Sequence, residues 1–256
     1  MKSHVDTRQT NKFIYISMVI ANRHTHLLQV VGVIIALFFQ SCAAHYATNM
    51  VNTPMLKQQG DLQIGGSVGH LGLNGQLAYA VSDNVGVIVN GKQHEAWYAD
   101  DLATSNTVMF VEAGAGYYKW LSEHSIFEMY GGYGLGEVNL VHAQKNTDIT
   151  YILSRPFVQP SIGVQADFFS LNLATRLTHA GLRSDSIQLS GLFIEPAITT
   201  KLQFEQLSAI YQMGIVRTLH TDTPEMQVLP FWLAFGLQYK FDFTKTIKYL
   251  VLLLTC

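Results

Sequence analysis

The chain has 256 residues, 48% of them hydrophobic and only 13% charged, with a formal net charge of −2. So even a balance excludes the basic footprint of a nucleic-acid binder, and so much apolar content excludes a disordered polar chain. No uninterrupted apolar run reaches the roughly 18 residues of a spanning helix.

From Met1 to Ser41 the chain reads as a helical secretory signal segment, with Met18 as a candidate start. Lys12 and Arg23 form a positive n-region ahead of the apolar h-region Leu27 to Phe39 (LLQVVGVIIALFF). The small residue before Cys42 resembles a lipobox, in which the Cys becomes the acylated first residue of the mature chain; the other reading is an ordinary signal cleaved nearby. Cys256 is the only other cysteine, so an acylated Cys42 leaves no intramolecular disulfide to form. Residues 42–59 then read as a lipidated polar tether.

Residues 60–243 carry ten segments of period two. The outward alternates are Leu62, Ile64 and Val68 in the first; Leu77, Tyr79 and Val81 in the second; Val85, Val87 and Val89 in the third. Met109 to Tyr117 supply the fourth and Phe127 to Leu135 the fifth. Val158, Ile162 and Val164 mark the sixth, Phe169 to Leu177 the seventh, Ile194 and Ile198 the eighth, and Ala209 to Ile215 the ninth. The tenth, Phe231 to Phe243 (FWLAFGLQYKFDF), has an aromatic or Leu at every odd position, about the length of a tilted membrane strand. Short connections near Asp83, Ser122, Ala166 and Glu205 alternate with long ones over 92–106, 139–151, 179–190 and 217–230, the first connection, near Leu71 to Asn74, being the exception. That sorting belongs to an even-stranded outer-membrane barrel, with short periplasmic turns and long outer loops. The expected fold is therefore an all-β, ten-stranded antiparallel up-and-down transmembrane barrel. Its apolar tail, residues 244–256, is too short to span. Pro156, Pro160 and Pro196 fall inside expected strands, where each removes a ladder hydrogen bond.

By parity the lumen receives Glu112, Glu128, Arg155, Arg176, Glu195, Lys201, Lys240 and Asp242, with Gln159 and Gln238. Acids and bases nearly cancel, and buried charges in a narrow barrel must pair, so a salt-bridged, closed lumen is expected. His70, His94, His142, His179 and His220 each fall in a different outer connection and form a candidate metal set if the loops fold inward. No cofactor motif is present.

Several stretches resemble small, mostly uncharacterised outer-membrane β-barrel proteins with an N-terminal lipoprotein signal. The resemblance runs through Asn52-Thr53-Pro54, Gln76 to Val81, Asp83 to Val87 with Asn90-Gly91, Val111 to Tyr118, and Phe193 to Pro196. The terminal strand ending in Phe243 also resembles the element by which such barrels are recognised for assembly. The resemblance implies fold and location and gives no activity; strand parity leaves the tether on the periplasmic side, and the expected role is that of a non-enzymatic, structural or loop-presenting outer-membrane protein whose partners are membrane lipid and the barrel assembly machinery. The alternatives are a narrow solute channel, a rim hydrolase and a tethered lipocalin-like barrel. The hydrolase reading rests on a resemblance to omptin proteases, with Asp100 and Asp101 in one loop and His220 and Asp222 in another. The lipocalin reading would turn the aromatic faces inward.

Overall fold

The computed structural model describes residue 46 and residues 48–69, 72–98, 104–142, 147–185, 187–222 and 228–241. The signal segment, Cys42, the tail and Asp242 lie outside the described residues, as do His70, Asp100 and Asp101. The strands are β1 Leu62–Gly69, β2 Gly72–Ala80, β3 Val85–Tyr98, β4 Thr104–Trp120, β5 Ser125–His142, β6 Thr147–Gln165, β7 Phe169–Arg183, β8 Gln188–Phe204, β9 Leu207–Ile215, β10 Arg217–Thr221 and β11 Phe231–Phe241. Chain neighbours pair antiparallel from β1 to β8, and β9 pairs with both β8 and β11. β1 pairs with β11, which closes the sheet. β9 and β10 both lie against β8 as two halves of one stave, so the barrel has ten staves.

Pro196 explains the split. It faces Ile215 in register between the pairs Ala197–Gly214 and Ile194–Arg217, and a proline has no N–H to give to the neighbouring stave. Pro156 and Pro160 act in the same way on the β6–β7 ladder. That ladder skips Arg155-Pro156 and Gln159-Pro160 without changing register, whereas the β5–β6 ladder runs unbroken from Ser125–Val164 to His142–Thr147. The prolines are therefore gaps in an unshifted ladder, not bulges or strand starts. Among the described strand pairs the register shifts only higher on the ninth stave, between Thr218 and His220.

The long connections expected from the sequence are largely strand. β3 to β8 and β10 carry residues 92–98, 104–106, 139–142, 147–151, 179–183, 188–190 and 217–221 into the wall. Past the apolar belt the outward residues turn polar, as at Gln93, Glu95 and Glu137, so the hydrophobic alternation fades while the hydrogen-bonded ladder continues. The opposite end closes in tight turns. Val81 N–H bonds to Val85 O at 2.9 Å and Leu121 N–H to Ser125 O at 2.8 Å, and the Ser82 and Ser122 hydroxyls each accept a further turn amide at 3.1 Å.

Among the described residues the outward positions expected in the ten staves lie on the face away from the lumen, though Leu233 there is only 8% exposed, and Phe243 lies outside the described residues. Val68, Met109 and Phe235 are 60%, 61% and 60% exposed, with Val111, Leu135, Leu173 and Leu237 beside them. Tyr79, Leu62 and Phe241 share one row at the short-turn end, where Tyr239 also packs edge-on against Phe241.

Candidate functional site

The lumen is occupied by the chain's own N-terminal segment. Residues expected to hang below the barrel as a tether run inside it: Tyr46, Thr48 to Thr53, Met55 and Leu56 are all buried. A polar segment can be drawn into a barrel only if its main-chain groups find partners there, and the inward side chains of seven staves supply them. At the short-turn end Trp120 Nε1 donates to Leu56 O at 2.8 Å, and Glu128 accepts from Met55 N–H at 3.0 Å. Lys201 Nζ donates to Thr53 O at 2.8 Å and Gln159 Nε2 to Asn52 O at 2.7 Å. Gln212 grips Val51 on both sides, accepting from its N–H at 2.7 Å and donating to its carbonyl at 2.8 Å. Met50 is held likewise by Asn74 and Gln76, and Lys92 Nζ donates to Thr48 O at 2.5 Å.

Side chains of the segment then lock into the charge network. Asn49 Oδ1 accepts from Arg155 Nη1 at 2.9 Å and Arg176 Nη1 at 2.6 Å, while its Nδ2 donates to Glu112 Oε1 at 2.8 Å. Arg176 reaches Glu112 at 3.1 Å, and Arg155 reaches Glu195 at 3.1 Å and Glu112 at 3.5 Å. All four charged side chains are fully buried, and two acids cancel two guanidiniums. Thr48 Oγ1 donates to Glu195 at 2.5 Å, Tyr46 O–H donates to the same carboxylate, and the Tyr46 ring stacks on Phe193 with centroids 4.5 Å apart. Gly86 makes room for this threading, because a Cβ there would lie 2.7 Å from Leu56 and 2.8 Å from the Tyr130 hydroxyl.

The segment climbs. Its Lys57 end lies beside Trp120 at the short-turn end, whereas Tyr46 bridges to Val228 in the connection before β11 and accepts from Leu229 N–H. The described segment thus runs from the short-turn end to the long-hairpin end at Tyr46.

The remaining lumen charges sit lower. Glu128 Oε2 accepts from Ser161 at 3.3 Å and Asn172 at 3.4 Å, Lys201 also donates to Gln238 at 2.9 Å, and Lys240 pairs with Asp61 at 2.8 Å. Lys92 and Asp61 were not among the lumen residues expected from sequence, yet continuing the parity of Ile88 and Asn90 by one more step places Lys92 inside.

Of the five candidate histidines, the three whose side chains are described stand on three different strands. His94 is half-buried on the lumen side of β3, His179 is exposed on the outward side of β7, and His220 is exposed on β10; the side chain of His142, like His70, lies outside the described residues. Among the described residues no group of three His, Cys, Asp or Glu could hold a metal ion. At the rim His220 Nε2 lies 3.3 Å from Asp222 Oδ1, and Ser190 O–H donates to the other oxygen of Asp222. The carboxylate stands between serine and histidine, so these three described residues do not form a nucleophile–base pair. The Ser190 hydroxyl, the His220 bond and the charges of His220 and His179 together hold the Asp222 carboxyl below its ordinary pKa.

No protein-family model matches the chain, and no curated protein matches it.

Proposed function

We propose that the chain is a non-enzymatic outer-membrane β-barrel plugged by its own N-terminal segment, which presents its long hairpins and an acylated Cys42 at the surface-facing end. One observation carries this reading: the barrel is inverted relative to a soluble one, with large apolar side chains outward and charges, amides and a threaded chain inward. A contiguous exposed apolar belt is rare on soluble proteins and is what a bilayer requires. A tethered lipocalin-like barrel would show the opposite parity. A channel reading is disfavoured because the segment fills the lumen through its middle. The ascending path of the segment supports an anchor at the long-hairpin end: Cys42 lies four residues beyond Tyr46, within about 14 Å of chain. The helical signal segment and the assembly machinery belong to the same proposal, since such a barrel must be exported before it folds.

The test is gel mobility of membrane fractions with and without boiling, combined with planar-bilayer recording. A compact species that unfolds only on boiling, with no steady conductance, is expected. Absence from membranes, or stable ion-selective openings, would overturn the reading. Cys42→Ala should abolish acyl labelling; unchanged labelling removes the anchor from the proposal.

A further inference from the structure

Below the plug, at the short-turn mouth, lies a cavity of about 50 Å³ roofed by Pro54 and Met55. Its lining is polar, and its polar groups are not all spent. Ser170, 1% exposed, has no hydrogen-bond partner for its hydroxyl, and Gln63, 5% exposed, has none for Oε1. Buried polar groups ordinarily find partners in the protein or in a bound molecule. Lys201 Nζ spends two of its three donors on Thr53 O and Gln238 and so has one left for the cavity. Lys240 lines the same space, held to Asp61 by one bond, and Lys57 stands at the edge over the Trp120 ring. The facing acids are accounted for. Asp61 is matched by Lys240, Glu128 accepts from Met55 N–H, Ser161 and Asn172, and Glu205 reaches the lining from the exposed turn, where solvent screens its charge.

We infer that this vestibule binds a small free oxyanion that also carries a hydroxyl, of the hydrogen phosphate class. The lysines and the Ser170 hydroxyl supply donors to its oxygens, and Gln63 Oε1 accepts its O–H. The size of the cavity admits one such ion and leaves no room for a phospholipid head group with its chains. The plug roof makes the site a dead end, so it binds without transporting. The site does not depend on where the barrel resides.

Calorimetric titration of the refolded full chain in micelles with inorganic phosphate, and separately with sulfate, tests this. Saturable phosphate binding, tighter than sulfate because sulfate brings no proton for Gln63, is expected. Ser170→Ala should weaken phosphate binding roughly tenfold, the worth of one charge-assisted hydrogen bond, while leaving the unfolding temperature unchanged, because Ser170 has no protein partner to lose. Gln63→Met should erase the preference for phosphate over sulfate. Lack of saturation, equal affinity for the two ions, or a Ser170→Ala variant that binds like the parent would overturn the site.

Discussion

The wall of this barrel has a complete arc and a broken one. From β3 to β6 the ladders run without interruption, Val85–Tyr117 through Tyr98–Thr104 and Thr104–His142 through Trp120–Ile126. From β6 to β9 three prolines remove rungs, and two of them stand in one outward row: Pro160 faces Thr175, Thr175 pairs with Pro196, and Pro196 faces Ile215. Behind these gaps sits the densest part of the buried network. Arg155 and Gln159, at the skipped rungs of β6, reach Glu195 on β8 and Arg176 on β7, and Arg176 crosses the lumen to Glu112 on β4. In a nonpolar surround an unmet ladder group costs several kcal/mol. The difference between the arcs teaches that adjacent staves can be held by side chains from within where the backbone cannot hold them from the edge.

Breaking that inner brace should have the largest effect. Arg155→Met leaves Glu195 buried without its guanidinium, and loss of one partner of a buried pair costs about 3–5 kcal/mol. Urea unfolding in micelles should show this loss, with early exchange of the β6–β8 amides and late exchange of β3–β5. A uniform loss across both arcs would show that the network braces the whole barrel equally.

Asn49→Ala tests the contribution of the plug separately from the wall. It removes three hydrogen bonds to charged groups and leaves a side-chain-sized hole among them, a loss of about 3 kcal/mol. Brief conductance steps should appear in bilayers as the segment loosens. A silent, equally stable variant would mean that the segment follows the lumen without closing it.

How far the sequence reveals this molecule differs between the same regions. Outward parity is legible in all ten staves because the outer face carries apolar side chains at alternate positions. The charges that pair across the lumen follow from that parity. The threaded segment leaves no such mark. Its partners bind its main chain, so Thr48 to Leu56 need no period, and the only hint is that no charged residue stands between Cys42 and Lys57 next to a lumen rich in amides and charges. The prolines are visible in the sequence, but their consequence depends on which neighbouring stave each N–H position faces. The upper wall is hidden for the opposite reason: ladder bonds persist at Gln93, Glu95 and Glu137 where the hydrophobic demand has ended.

Repairing the broken arc should have a smaller effect. Pro196→Val restores a donor opposite Ile215, worth about 1 kcal/mol as a net hydrogen bond, against up to about 1 kcal/mol lost because the unfolded chain becomes freer. Stability should therefore change little. Hydrogen exchange is the sharper readout: the new amide at this position should be protected and the junction at Val216 slowed, joining β9 and β10 into one unit. No added protection would show that the split is set by the Val216 amide, which already bonds to Pro230 O at 2.9 Å.

The smallest effect lies at the far end of the same arc, where Ser190 on β8 donates to Asp222 just beyond β10. That bond favours the ionised carboxylate, as do His220 and, by charge, His179, so the folded-state pKa is depressed. For a depressed acid, the stabilisation is complete above the unfolded value of about 3.9 and fades as pH falls through the folded one. Because the group is solvent-exposed, screening makes its effect on unfolding too small to see, and the measurement must be the titration itself. Carboxyl chemical shifts followed by NMR in micelles should place Asp222 below the ordinary aspartate value, and Ser190→Ala, which deletes the largest cause, should move it back upward more than His220→Ala does. The reverse order would make the imidazole, and not the hydroxyl, the group that ties the end of β10 to β8.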